Sequence, residues 1–361
     1  MCSRVVFLAL GDTTILKRVT PLIEDKKNAT FQETVSMIRD ADLVMSNCDM
    51  VLSDKGVAIE KGITVRSSPD VAEDMSQIGI DVVSLANNHV LDYGYESFFE
   101  TMENLNRYNI KYFGVGRNLK ESLTPRIVNV KDLRVAFLGF SSVLPLGWAS
   151  DENRPGVAGL HVKTSYEVNL LFLQEEPGTQ PLVRTAPVEK DLQYLEERIR
   201  EAKGEADVVV VVPHWGCGLH DELVEYQQNV AHRLVDFGAD FIIGYHPHVI
   251  QPVEIYRGKP IFYCMGNFFL HLREEWRKQW VLPEEVWNKL VAADAFTARI
   301  TFLDKKTSEI EVIPIKLDEK NNPYSPPKDV KKRILDYVKK ISEPFGTKII
   351  LEEYRGILGV D

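Results

Sequence analysis

Cysteine is scarce: four residues in 361, none in a C-x-x-C pair, exclude a disulfide scaffold. Cys2, Cys48, Cys217 and Cys264 therefore read as reduced thiols, which fits a cytoplasmic location. Long apolar runs are missing too, since no window approaches the ~20 residues that a membrane helix requires. The apolar run at residues 5–10 stops at Gly11-Asp12, too short for the core of a secretory signal. The expectation is a protein with no membrane segment of its own. Positive charge is in deficit: 43 Lys and Arg against 53 Asp and Glu give a net charge of −10, which leaves no basic footprint for nucleic acid. Anionic groups can still bind where a cation inverts the local sign. With 44% apolar and 27% charged residues and no internal repeat, the composition is that of an ordinary globular chain.

What is present is an alternation of short β-branched runs and amphipathic patterns. Strand candidates fall at residues 5–10, 43–46, 82–85, 135–140, 208–212, 241–243 and 261–265. Helical periodicity occupies 31–39, 69–78, 96–108, 189–202 and 226–237, so the pattern predicts a layered α/β core with a mainly parallel sheet. Residues 142–186, rich in Pro and Gly, read as an irregular insertion. A Trp- and charge-rich stretch to about residue 292 precedes a hairpin at 296–317. The chain reads as one domain over 1–320, followed by a linker and helix over 321–361.

The strands end in a distinctive set of residues. They run into Gly11-Asp12, Asn47-Cys48-Asp49, Asn87-Asn88-His89, Pro213-His214-Trp215-Gly216, Tyr245-His246-Pro247-His248 and Gly266-Asn267. In a parallel sheet all carboxyl ends lie on one edge, where ligands of open α/β sheets bind. Carboxylates, an amide and neutral imidazoles together suit one or two divalent ions, with Mn²⁺, Fe²⁺ or Zn²⁺ favoured over Mg²⁺ or Ca²⁺. Each motif alone has a plainer reading: Asp after a strand caps a helix, Asn-Asn makes a turn, and His-Pro-His sits in a surface loop. Their coincidence at strand ends is what points to a metal cleft.

These motifs, with Asp92-Tyr93-Gly94, Gly238-Ala239-Asp240 and Phe268, resemble in order and spacing the CapA-like (poly-γ-glutamate capsule synthesis) branch of the metallophosphoesterase superfamily. The resemblance covers residues 5 to 270. It implies a four-layer αββα sandwich with a metal site at the carboxyl ends of the strands. By resemblance, the metal ligands are Asp12, Asp49, Asn88, His214, His246 and His248, and His89 is the catalytic histidine. Asp92 either orients His89 or caps the next helix. Trp215 and Asn267 are candidate substrate contacts, although Trp215 also suits a buried wall. The pattern departs from the superfamily at Thr14, where a ligand histidine is usual, and at Asp49, where the branch has the longer Glu.

The implied function is metal-dependent hydrolysis of a phosphoester or glutamyl-type anionic substrate, linked to poly-γ-glutamate or capsule synthesis and its partners. The alternatives are an isomerase or amide-processing enzyme acting on a peptide, and a degenerate member that only binds.

Overall fold

The run Val208-Val209-Val210-Val211-Val212 is apolar on both faces, and such a strand must be covered on both sides. It is so covered in the computed structural model, which describes residues 3–176, 178–272, 284 and 294–359. Val208, Val210 and Val212 enter a core shared with a second sheet, whereas Val209 and Val211 pack against helices. The same period of two divides the Arg4–Thr14 strand: Val5, Phe7 and Ala9 face the other sheet, and Leu8 and Leu10 face helices. Phe7 and Phe137 meet edge to face across the gap with centroids 5.8 Å apart, an arrangement that aromatic pairs prefer.

The protein is therefore a four-layer α/β sandwich. The larger sheet runs Ile349–Glu352, Arg355–Leu358, Lys306–Leu317, Ala295–Leu303, Arg4–Thr14, Leu43–Cys48, Val82–Ser84 and Lys111–Phe113, with Asn267–Leu270 also paired to Arg4–Thr14. The smaller runs Val253–Tyr256, Lys259–Phe262, Phe241–Ile243, Val208–His214, Leu133–Ser141 and Arg126–Val130. Helices Ala29–Arg39, Val71–Ile78 and Gly94–Arg107 bury Phe31, Met75 and Phe98 on the first sheet. Helices Glu189–Glu205 and Glu225–Phe237 bury Leu195 and Leu234 on the second. Each such side chain contributes roughly 1.5–3 kcal/mol by leaving water. Gly79 (φ 113°) stops the Val71–Ile78 helix in a left-handed conformation that side chains avoid.

The inner strands of both sheets are parallel, as the alternating pattern predicts. Alternation alone gives a mainly parallel sheet; the two facing sheets are those of the αββα sandwich that the resemblance implies, and antiparallel strands such as Ala295–Leu303 extend them. Segment 142–186 is more regular than its composition indicates. Gly156–Val157 pairs with Val115–Gly116, and Val162–Glu167 pairs with Leu182–Pro187 in a separate hairpin. Residues 321–361 hold more than a linker and a helix. After the Lys328–Ser342 helix, Ile349–Glu352 and Arg355–Leu358 form a hairpin that joins the large sheet. Its short, mixed strands carry too weak an alternation to read. The Trp-rich stretch before residue 292 lies, from residue 273 on, largely outside the described residues. Among the described residues, no helix is long and apolar enough to cross a membrane.

Candidate metal centre

Register brings distant residues together. Asp12 pairs with Asn47 on one side and Asn267 on the other, and Asn47 pairs with Ser84 at the start of the Asn87-Asn88-His89 turn. In the smaller sheet, His214 bridges to Tyr245. The pairing register slips at Asp12, an irregularity of the kind that re-aims a side chain. It needs Gly11, because a Cβ there would lie 2.4 Å from the Gly266 carbonyl oxygen.

The predicted metal ligands converge. Asp12 and Asp49 are both buried. His248 Nδ1 is 3.9 Å from Asp12 Oδ2, and its Nε2 is 4.0 Å from Asp49 Oδ2. His214 Nε2 is 3.9 Å from Asp49 Oδ1 and 2.9 Å from Asn88 Oδ1. The rings of His214 and His246 lie 4.9 Å apart. Both His246 (φ 100°) and His248 (φ 57°) hold left-handed backbone that non-glycine residues avoid, a strain that concentrates at functional sites.

The electrostatics are those of a site short of positive charge. Burial, opposed by His248 and reinforced by Asp49, raises the Asp12 carboxyl to about 7. Burial, aided by the neighbouring His248, pushes His246 down to about 3, and burial with His246 and His248 holds His214 well below its ordinary value. The imidazoles of His214 and His246 are thus held neutral beside crowded carboxylates. Asp49 Oδ1 and His246 Nδ1 are enclosed without any hydrogen-bond partner. Unpaired buried acceptors are costly, and a divalent cation would satisfy both, so the donor set fits such an ion. Even so, among the described residues no group of three or more His, Cys, Asp or Glu side chains is placed so that it could hold a metal ion without some rearrangement, and His214 is bonded to Asn88.

Neighbouring groups aim these donors. Asn47 Nδ2 donates to Asp12 Oδ1 at 2.7 Å, and the His246 N–H donates to Asp12 Oδ2 at 3.2 Å. Asn87 Oδ1 accepts from the backbone of His89 and Val90, folding the turn that presents Asn88 and His89. Its Nδ2 donates to the Cys48 carbonyl at 2.8 Å. His89 Nδ1 meets Asp92 Oδ2 at 2.6 Å, while its Nε2 lies on the side of the Asn88 amide. Asp92 therefore orients His89; the Gly94–Arg107 helix has Tyr93 at its N-cap and no side-chain capping bond.

Two candidates stand elsewhere in the argument. Trp215 is fully buried, stacks on Tyr263 and donates its indole N–H to the Tyr263 carbonyl, so it is core rather than substrate wall. Asn267 is also buried, and its Oδ1 accepts from His248 Nδ1 at 2.8 Å, so it holds the His248 ring. Thr14 Oγ1 donates to the Asp49 carbonyl at 3.4 Å and is turned to the backbone. Sequence reasoning missed the roles of Asn47 and Asn87, although both lie inside the quoted motifs. It missed Lys61 altogether. Lys61 Nζ donates to Asp92 Oδ1 at 2.7 Å and to the Asn88 carbonyl, from a segment with no motif to single it out.

Comparison with known proteins gives the family and the fold. Capsule biosynthesis protein CapA of Bacillus anthracis is 27% identical over 322 residues, covering 88% of this chain and 68% of that protein. PGA biosynthesis protein CapA of Bacillus subtilis (strain 168) is 28% identical over 265 residues, covering 72% of this chain and 61% of that protein. The chain thus spans about two thirds of these relatives. A solved structure described as a novel phosphatase from Mycoplasma pneumoniae shares the fold, with a TM-score of 0.50 at 14% identity, covering 92% of this chain and 98% of that one. The profile described as "Bacterial capsule synthesis protein PGA_cap" matches residues 6–271, the stretch that carries every strand-end motif, and so the chain belongs to that family.

Proposed function

We propose that this protein is a metal-dependent hydrolase acting on a phosphoester or glutamyl-type anionic substrate, in the service of poly-γ-glutamate or capsule synthesis. The observation that carries the reading is the pair of enclosed, unpartnered acceptors, Asp49 Oδ1 and His246 Nδ1, in a cleft of crowded carboxylates and neutral imidazoles. Asp12, Asp49, Asn88, His214, His246 and His248 would hold one or two divalent ions. When bound, such an ion polarises a phosphoryl or carbonyl oxygen and lowers the pKa of water.

The remaining steps belong to the chain. Asp92 anchors His89 through Nδ1, which leaves Nε2 to give a proton to the leaving group, work suited to histidine near neutral pH. Asn267 fixes the ring of His248, and Asn47 fixes the carboxylate of Asp12. Burial excludes water from Asp12 and Asp49 and so strengthens their hold on a cation. The unpaired thiols of Cys48, Cys217 and Cys264 support a cytoplasmic location within the same reading.

The test is elemental mass spectrometry of the purified protein, paired with phosphomonoester and phosphodiester assays in added Mn²⁺. One or two bound ions with turnover support the hydrolase. Absence of both metal and turnover moves the assignment to a binding-only member of the family.

A further inference from the structure

Lys61 arrives at the back of the His89 turn from residues 53–65, a connection without regular structure. Its ammonium donates to Asp92 Oδ1 at 2.7 Å and to the Asn88 carbonyl, and stands 3.4 Å from His89 Nδ1. One side chain thus touches the residue bearing the amide ligand, the imidazole and the carboxylate that steadies the imidazole. Its side chain is only 18% exposed and lies 5.1 Å from the Trp148 ring, so it is not a freely solvated charge. Asp92 is wholly buried, and a buried carboxylate demands several donors. One oxygen accepts from the Val65 N–H at 2.7 Å and meets His89 at 2.6 Å; the other relies on Lys61. Without the ammonium, the least costly rearrangement is for the carboxylate to turn toward other donors or water, and His89 would turn with it.

We infer that Lys61 is a positioning residue, whose clamp on Asp92 and the Asn88 carbonyl holds His89 with Nε2 toward the cleft. The inference deepens the hydrolase reading and rests on it for its kinetic consequences only. Lys61 acts through His89 and does not touch substrate. Partners of this kind typically change activity by about 10- to 100-fold when removed.

The experiment compares Lys61→Met and Lys61→Arg, each in the wild-type and the His89→Ala background, on a small phosphoester with Mn²⁺. The expected result for Lys61→Met is a kcat lower by about 10- to 100-fold, with KM within about twofold and metal content unchanged. Lys61→Arg recovers most of the loss, because its guanidinium still supplies donors to both acceptors. In the His89→Ala background, Lys61→Met has no further effect on residual turnover. A rise in KM at constant kcat, or an equal loss in both backgrounds, overturns the inference and puts Lys61 on the substrate. Should Lys61→Met fail to fold, Lys61→Gln keeps a neutral donor for Asp92 and carries the same comparison. A crystal structure of the variant decides the matter without turnover. A His89 ring that has left Asp92 supports the clamp, and an undisturbed ring overturns it, even if the wild-type protein proves inactive and the hydrolase reading itself falls.

Discussion

Replacing Asp12 by Asn should make the metal-free protein more stable while abolishing metal binding. Asp12 is wholly buried, and its carboxyl is raised from an ordinary 3.8 to about 7 by burial, with Asp49 adding to the rise. A group whose pKa rises on folding stabilises fully below the unfolded value and loses that contribution as pH climbs through the folded one. At about 1.4 kcal/mol per pH unit, the ionised carboxylate costs ~4 kcal/mol at pH 8. Asn keeps the acceptor for Asn47 Nδ2 but sets an amide NH₂ against the His246 N–H, a loss of about 1–2 kcal/mol. The net gain is on the order of 2 kcal/mol, or roughly 4 °C in Tm for a chain of this size. The assay is calorimetric melting in chelator at pH 8 and pH 5.5. The advantage should shrink toward zero at pH 5.5, where less of that cost is incurred. Excess Mn²⁺ should raise the Tm of wild type alone and reverse the order. The reasoning is refuted if the variant is no more stable than wild type at pH 8, or if the difference ignores pH.

Asp49→Ala should lose bound metal, whereas His89→Ala should keep it and lose most, but not all, of its turnover; equal metal loss in both, measured by elemental analysis, would sink the separation of roles. Trp215→Ala should cost about 3–5 kcal/mol in chemical denaturation through the cavity left beside Tyr263, with KM unchanged below the melting range. A raised KM without lost stability would return Trp215 to the substrate wall. His271, buried between the Leu16 N–H and Asn322, is pushed down to about 4 by burial. Because its folded value is depressed, its contribution is present above pH 6.5 and lost as pH falls toward 4, about 3 kcal/mol in all. Denaturation of His271→Gln across that window should show a shallower pH dependence than wild type, and equal slopes would refute the assignment.

Much of the fold was legible because period-two and helical alternation report burial directly. The Val208–His214 strand and the Glu225–Phe237 helix lie where their patterns put them, within two residues at each end. The separation into two sheets was legible only through the family resemblance and not in the alternation, because Phe7 and Phe137 look equally buried whether they face a helix or another sheet. The convergence of Asp12, Asp49, His214 and His248 was readable, since strand ends share an edge. The roles of Trp215 and Asn267 were not. Proximity in sequence to a ligand cannot tell whether a side chain turns into the cleft or behind it. Lys61 was invisible for a related reason, as its partner lies 31 residues away and only the tertiary fold joins them.

The cleft gathers several locally costly features in one place. Two carboxylates are buried together, two adjoining histidines hold left-handed backbone, and two acceptors go without donors. Each is destabilising in the protein alone, and the α/β core around them is otherwise regular. Such a concentration of local strain is tolerated where function requires it. A divalent cation would offset the two electrostatic costs at once, by neutralising the carboxylates and occupying the unpartnered acceptors. It does nothing for the backbone of His246 and His248. That strain must be held by the surrounding packing, to which Asn267 contributes at His248 by bonding both its ring and its carbonyl. Asn267→Ala should therefore weaken metal affinity by about 10- to 100-fold in isothermal titration with Mn²⁺. An unchanged affinity would show that the His248 backbone holds its conformation without this support.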